Sequence, residues 1–307
     1  MSAFVTKPRP AGPYPILLDA GPSTHGWHKT ATWLRCPQLW AYQHLLGIVF
    51  PASDPLVKGS LVHIGTAHVH ARRVCVDMGW PLDTYETPAR AIERVAEAED
   101  AKRGGSWLAW VNMTQAAVAA YERNTAIENL SWRVVGVEVE FKAEIEGFPY
   151  TQRIDLVLQH RTTGQIMVDD TKTTSAQLGA AATDRAYGLS GQFMGMRWFG
   201  SQRFGAKFGG VRIRYVQLPT GEVQIRDLPA APWAYQRFPS VVAEARRAME
   251  RSKAEGRDPW SYEMKLSELV CEHRYGPCEA SRLCMEGPAA VATLGAPTAG
   301  ELRTGRS

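Results

Sequence analysis

Two acidic residues that a hairpin would set face to face constrain this chain more than any other feature. Residues 151–159 alternate, with Ile154, Leu156 and Leu158 on one face and Arg153, Asp155 and Val157 on the other, and residues 165–173 read as the partner strand. With Thr162-Thr163 as the turn and Gly164 as a permissive position beside it, Arg161 faces Gly164 and Asp155 faces Asp170. Like charges directly opposite destabilise a sheet. A fold that keeps such a pair either protonates one carboxylate or holds a cation between them, and Lys172, two residues along on the same face, points at the same spot.

The elements around this hairpin set the fold class. Apolar spacing predicts helices over 37–46, from Gly59-Ser60 to about Val76, over 88–102 and over 107–129. At Trp132 the pattern switches to alternation, predicting strands near 133–146, 150–159, 165–173, 210–218 and 222–228, with a helix over 190–204 between the third and fourth. A long helix over 232–255 follows. Helices, a three-strand meander, a crossover helix and two more strands describe an α/β (α+β) domain with a mixed central sheet. The expected organisation is an extended Pro/Gly-rich arm over 1–28, one domain over 29–286, and a small, polar, disordered tail over 287–307, with Thr30 or Thr32 capping the first helical turn.

Oxygen ligands from two neighbouring strands suit Mg²⁺ or Mn²⁺, and an ammonium beside them suits in-line attack of water on a phosphodiester. The bland alternative is a surface hairpin in which Asp169 or Asp170 pairs with Lys172 or Arg153. His63 lies one helical turn after Gly59 and one before Ala67, so small residues would let its helix approach the sheet and the imidazole could be a third ligand; otherwise it is a core or solvent-facing histidine, as His68 and His70 are. Gln192, opening the crossover helix, could orient a water or a phosphate. Arg197, Arg203, Lys207, Arg212 and Arg214 are consistent with a groove that tracks a nucleic-acid backbone, or with a solvated helix face.

Cys271, Cys278 and Cys284 cluster near one end, and Cys36 precedes Pro37 at the start of a helix; Cys75 reads as a core residue. The four thiolates suit iron-sulfur or zinc, or are unrelated buried thiols. With 307 residues, 45% apolar composition, a charge of +4, no membrane-length apolar run and no secretory leader, the chain is expected to be cytoplasmic, with no membrane partner; the mildly basic balance permits a polyanionic partner without demanding one.

In this order the motifs resemble the PD-(D/E)XK nuclease superfamily and its RecB-like branch, the type of CRISPR-associated spacer-acquisition nucleases and phage exonucleases. The Thr30–Pro37 stretch looks like the branch's Ser/Thr helix start and Cys-Pro step, Gly59-x3-His63 like its metal histidine, Arg153-Ile154-Asp155 like its first strand acid, Asp170-Thr171-Lys172 like its acid-x-lysine, and Gln192 like its glutamine. Met196 stands where the family commonly has tyrosine. The resemblance implies a restriction-endonuclease-like core with N-terminal helices and a C-terminal cluster-binding segment. It implies His63, Asp155 and Asp170 as Mg²⁺ or Mn²⁺ ligands, Asp155, Asp170, Lys172 and Gln192 as the catalytic set, and Cys36, Cys271, Cys278 and Cys284 around a [4Fe-4S] cluster, with zinc as the alternative occupant. The implied activity is exonucleolytic cleavage of DNA at single strands or duplex ends, with a recombination or CRISPR-adaptation protein as a partner. The competing readings are a non-catalytic nucleic-acid-binding or assembly protein on the same fold and an iron-sulfur electron carrier.

Overall fold

The structure is a computed structural model and describes residues 16–18, 23–50, 52–103, 106–175, 187–265, 268–273 and 276–293. Most of the expected arm (1–15 and 19–22) and the end of the expected tail (294–307) lie outside the described residues. The chain divides into two compact units, one of residues 1–24, 54–143 and 151–236, the other of residues 25–53, 144–150 and 237–307.

The first unit is built on a sheet in the order β1-β2-β3-β4-β5, where β1 is Trp132–Ile145, β2 Phe148–His160, β3 Ile166–Thr174, β4 Phe208–Gln217 and β5 Val223–Asp227. β2 and β3 pair antiparallel with Leu156 opposite Asp169; continued by one step, that register sets Asp155 opposite Asp170, as the turn chemistry predicts. β3 and β4 are parallel, joined by a crossover that contains a helix (Gly191–Phe204, α6 in chain order), and β4 and β5 are antiparallel. The mixed sheet is the expected one.

The helix Asp54–Met78 (α3) is buried almost all round in its middle, because the sheet lies on one side and α4 (Pro88–Arg103) and α5 (Val111–Asn124) on the other. Ala67 and Val74 pack with Val134, Val137, Leu156 and Leu158. A Cβ on Gly65 would stand 2.7 Å from Val118 and 2.8 Å from Ile92, so only glycine lets α3 lie this close to α4 and α5. Gly59 makes a looser approach to the sheet, where a Cβ would meet Thr173 Oγ1 at 3.2 Å. His68 and His70 are core histidines bonded to Glu86 O (3.3 Å) and Tyr121 Oη (2.6 Å), and Cys75 is fully buried.

The second unit carries α1 (Trp27–Arg35), α2 (Pro37–His44), most of α7 (Pro232–Ala254) and α8 (Ser281–Glu286). α1 starts three residues before the expected Thr30 cap: Gly26 is its N-cap, Trp27 packs on Phe238, and Thr30 is buried within the helix. Cys36 is extended and separates α1 from α2, with Pro37 in the first turn of the latter. Past residue 286, where a disordered tail is expected, Gly287–Thr293 forms a 3-10 helix and Ala290 packs with Cys36, Leu39, Cys278 and Leu283. Among the described residues no helix is long and apolar enough to cross a membrane.

Candidate metal centre

β3 presents Asp169 and Asp170 to opposite sides. Asp170 is buried and held twice: Lys172 Nζ lies 2.7 Å from Oδ2, and Gln192 Nε2 donates to Oδ1 at 2.6 Å. Lys172 also donates to Gln192 Oε1 at 3.3 Å, which closes a ring of acid, ammonium and amide. Ser190 caps α6 by accepting from Gln192 N, so the amide side chain is delivered by the first turn of that helix.

Asp155 is held by Thr171 N, which donates to Oδ2 at 2.8 Å, and His63 Nε2 lies 3.0 Å from the same oxygen. Glu138 approaches His63 Nε2 with Oε1 at 3.1 Å. The ligand atoms of His63, Glu138 and Asp155 all lie within 4.8 Å of one another, close enough to share one ion. The structure therefore places Asp155 and His63 around one point, adds Glu138, and leaves the oxygens of Asp170 engaged by Lys172 and Gln192.

Glu138 is the residue that sequence reasoning missed. Alternation makes it one of two glutamates spaced among valines in β1, but its φ of 54° is left-handed, a conformation that side chains other than glycine adopt at a cost. Val137, Glu138 and Val139 are consequently all buried, and the carboxylate turns toward His63. An acid interrupting a run of valines was the only available signal.

The buried acids and cations of this group act strongly on one another. Burial pushes the Glu138 carboxyl up to about 7 against the attraction of His63, with Asp155 adding like-charge repulsion. Burial likewise pushes Asp170 up to about 6, against Lys172 and with Asp155. Burial alone would discharge His63, yet Asp155 and Glu138 outweigh it and raise the imidazole to about 10. Asp155 is held below its usual value because His63, Lys172 and the Thr171 amide overcome its burial, and Lys172 is raised because Asp170 and Asp155 overcome its own. Glu138 Oε1 and Asp170 Oδ2 are buried within ion-pair distance of a cationic side chain but without a hydrogen bond, and such oxygens fit a hard divalent ion.

On the other side of β3, Asp169 accepts from Arg212 Nε and Nη2 (2.9 Å each) and from Arg214 Nε (2.6 Å), and Glu128 Oε1 accepts from both guanidiniums. Arg212 and Arg214, expected on a nucleic-acid groove or a solvated face, are instead buried at 7% and 0% exposure. Alternation pairs them with Asp169. Arg197 also turns inward, to Leu228 O at 3.0 Å.

In the second unit Cys36 and Cys278 are buried, whereas Cys271 and Cys284 are exposed. Cys36 and Cys278 pack in one cluster with Tyr42 and Leu283, Cys278 N donates to Cys271 O at 2.6 Å, and burial raises the Cys284 thiol, with Cys36 and Cys278 raising it further. Tyr42 faces the same group, its phenol pushed up to about 12 by burial and then by Cys284 and Cys36. The donor set, all sulfur, fits a soft metal or an iron-sulfur cluster.

A crystal structure titled SSO0001 overlaps 52% of this chain and 71% of its own, at 12% identity and a TM-score of 0.31. No curated protein matches the chain. Residues 28–285, which include every acid, histidine, lysine and candidate cluster cysteine described above, match the PD-(D/E)XK nuclease superfamily, whose restriction-endonuclease-like core agrees with the mixed five-stranded sheet, and the chain belongs to that superfamily.

Proposed function

We propose that this protein is a divalent-metal-dependent deoxyribonuclease of the RecB-like branch, acting as an exonuclease on single strands or duplex ends, with residues 29–286 as its working module. The observation that carries the reading is the surplus of buried carboxylate around His63, with Lys172 held beside it by Asp170 and Gln192. His63, Glu138 and Asp155 would hold Mg²⁺ or Mn²⁺, with Asp170 as a further ligand. The ion supplies charge for a phosphoryl oxygen and lowers the pKa of water. Lys172, gripped at its ammonium, is placed to offset the negative charge that develops on the phosphate, and Gln192 fixes both Lys172 and Asp170. Thr171 N keeps the Asp155 carboxylate pointed at His63.

Cys36, Cys271, Cys278 and Cys284 would hold a structural [4Fe-4S] cluster, supported by the packing of Cys36 with Cys278 and the backbone bond from Cys278 to Cys271, with zinc as the other occupant the donors allow. A Cys278→Ala protein is expected to lose iron and much of its stability while retaining the affinity of the carboxylate site for Mn²⁺; an iron-free variant that folds intact would refute a structural cluster.

The decisive assay uses anaerobically purified protein, Mn²⁺, and labelled single- and double-stranded DNA, with Asp170→Ala as control. Shortening of labelled ends that disappears in the variant is expected. Cleavage that persists in Asp170→Ala would remove the site assignment, and binding without cleavage in the wild type would favour a non-catalytic nucleic-acid-binding protein.

A further inference from the structure

The second unit gathers basic side chains with few carboxylates to match them. His25 precedes the N-cap of α1, His28 and Lys29 come from its first turn, His44 from the end of α2, and Arg246 and Lys253 from α7. Arg246 Nη2 donates to His25 O at 2.9 Å, the His28 and His44 rings lie 6.4 Å apart, and His44 lies 5.8 Å from the Trp40 ring, over which Lys253 Nζ stands at 5.7 Å. Among the described residues the acid that faces this group is Glu250, 3.1 Å from Lys253 and also acting on Arg246; the Tyr150 phenol is the remaining titratable neighbour of Arg246.

The basic neighbours act on the three histidines and on Lys29. Burial and then the neighbouring cations lower Lys29 and His28, and they lower His44 to about 4. Burial followed by Arg246, Lys29 and Lys253 also lowers His25. Arg246 is 7% exposed, and its Nε and the Nε2 of His44 are buried without a hydrogen-bond partner. α1 begins here with no capping side chain and no acid in its first turn, so the positive end of the helix dipole adds to the field. Basic groups assembled around a single facing carboxylate favour an anion among them.

We propose that this cluster binds a backbone phosphate of a nucleic-acid strand, with Lys29, Arg246 and Lys253 supplying charge and the first turn of α1 supplying amide donors. A phosphodiester offers two unesterified oxygens and one negative charge, which suits a guanidinium flanked by ammonium groups. The preference for an anion stands on the cluster alone, whereas the choice of a nucleic acid as its source rests on the nuclease reading of the first unit.

The test measures fluorescence anisotropy of a labelled single-stranded oligonucleotide with wild-type protein and with Lys29→Gln/Lys253→Gln, without added divalent ion, across a range of KCl. Lys253 is 44% exposed at its side chain and Lys29 is partly exposed, so the double variant should keep the native circular dichroism and melting transition. Its affinity is expected to fall roughly tenfold at 100 mM KCl, and its salt slope to become shallower by about 1.4, near 0.7 for each lost contact. Unchanged affinity and slope in the folded variant, or no binding by the wild type, overturns the proposal. If inorganic phosphate at constant ionic strength binds the wild type but not the variant, and oligonucleotide affinity is the same for both, the site takes a small anion and the nucleic-acid assignment falls. Cleavage assays run alongside separate the two readings. A protein that cuts DNA but shows no weakening in the variant loses the phosphate site alone, and one that shows the weakening but cuts nothing loses the nuclease reading alone.

Discussion

Asp169 and Asp170 are neighbours in β3, yet they enter groups of opposite character. Asp169 and Glu128 face Arg212 and Arg214, two carboxylates for two guanidiniums, every acid bonded and Arg214 wholly buried. Asp170 joins Glu138 and Asp155, three carboxylates against one lysine and a histidine that the acids keep protonated. A balanced buried group rigidifies the protein around it and is costly to break. An unbalanced one stores an affinity for a cation. One strand thus builds a balanced ion-pair group on one side and a carboxylate-rich one on the other.

The contrast breaks most plainly at Asp170. Asp170→Ala is expected to lower cleavage with Mn²⁺ by roughly 10⁴-fold, about 5.5 kcal/mol in the barrier, with little loss of thermal stability because it removes one of three crowded acids. If the melting temperature collapses as well, the two groups do not differ in kind. Asp169→Ala should behave the other way, costing roughly 3 kcal/mol or more in urea unfolding by stranding buried guanidiniums. Glu138→Gln sharpens the assignment of the unbalanced group: the Mn²⁺ concentration for half-maximal cleavage should rise about 10- to 100-fold. An unchanged metal requirement would place Glu138 outside the ligand set.

The smallest effect concerns His70, bonded to Tyr121 near Arg214. Burial, then Arg73 and Arg214, hold its imidazole well below the ordinary value of 6.5, so it is neutral in the folded protein. The unfolded chain takes up a proton there as pH falls below 6.5, so His70 contributes stability that is present above that pH and is lost below it. Wild-type protein should lose about 1 kcal/mol more than His70→Gln between pH 7 and pH 5.5, read from paired urea titrations. Equal slopes would mean that the imidazole is charged in the fold.

Much of this arrangement was legible in the sequence where the governing forces are local. Alternation and the Thr162-Thr163-Gly164 turn fixed the β2–β3 register, and small residues a helical turn either side of His63 marked a helix that approaches the sheet. Glu138 was not legible, because its burial depends on one left-handed backbone angle that composition does not signal. Arg212 and Arg214 read as surface charge because their partners, Asp169 and Glu128, lie 43 and 84 or more residues away. The early start of α1 has the same cause: Trp27 is drawn into the helix by packing on Phe238.

Gly59 sets how near α3, and with it His63, stands to the sheet. Mg²⁺ binds oxygen at about 2.0–2.1 Å and Ca²⁺ at about 2.3–2.6 Å, a difference of a few tenths of an ångström. A methyl group at position 59, 3.2 Å from Thr173 Oγ1, asks for a displacement of the same size. Under the proposed reading Gly59→Ala is therefore expected to shift the site's preference toward the larger ion, read as the ratio of Mg²⁺ to Ca²⁺ affinity.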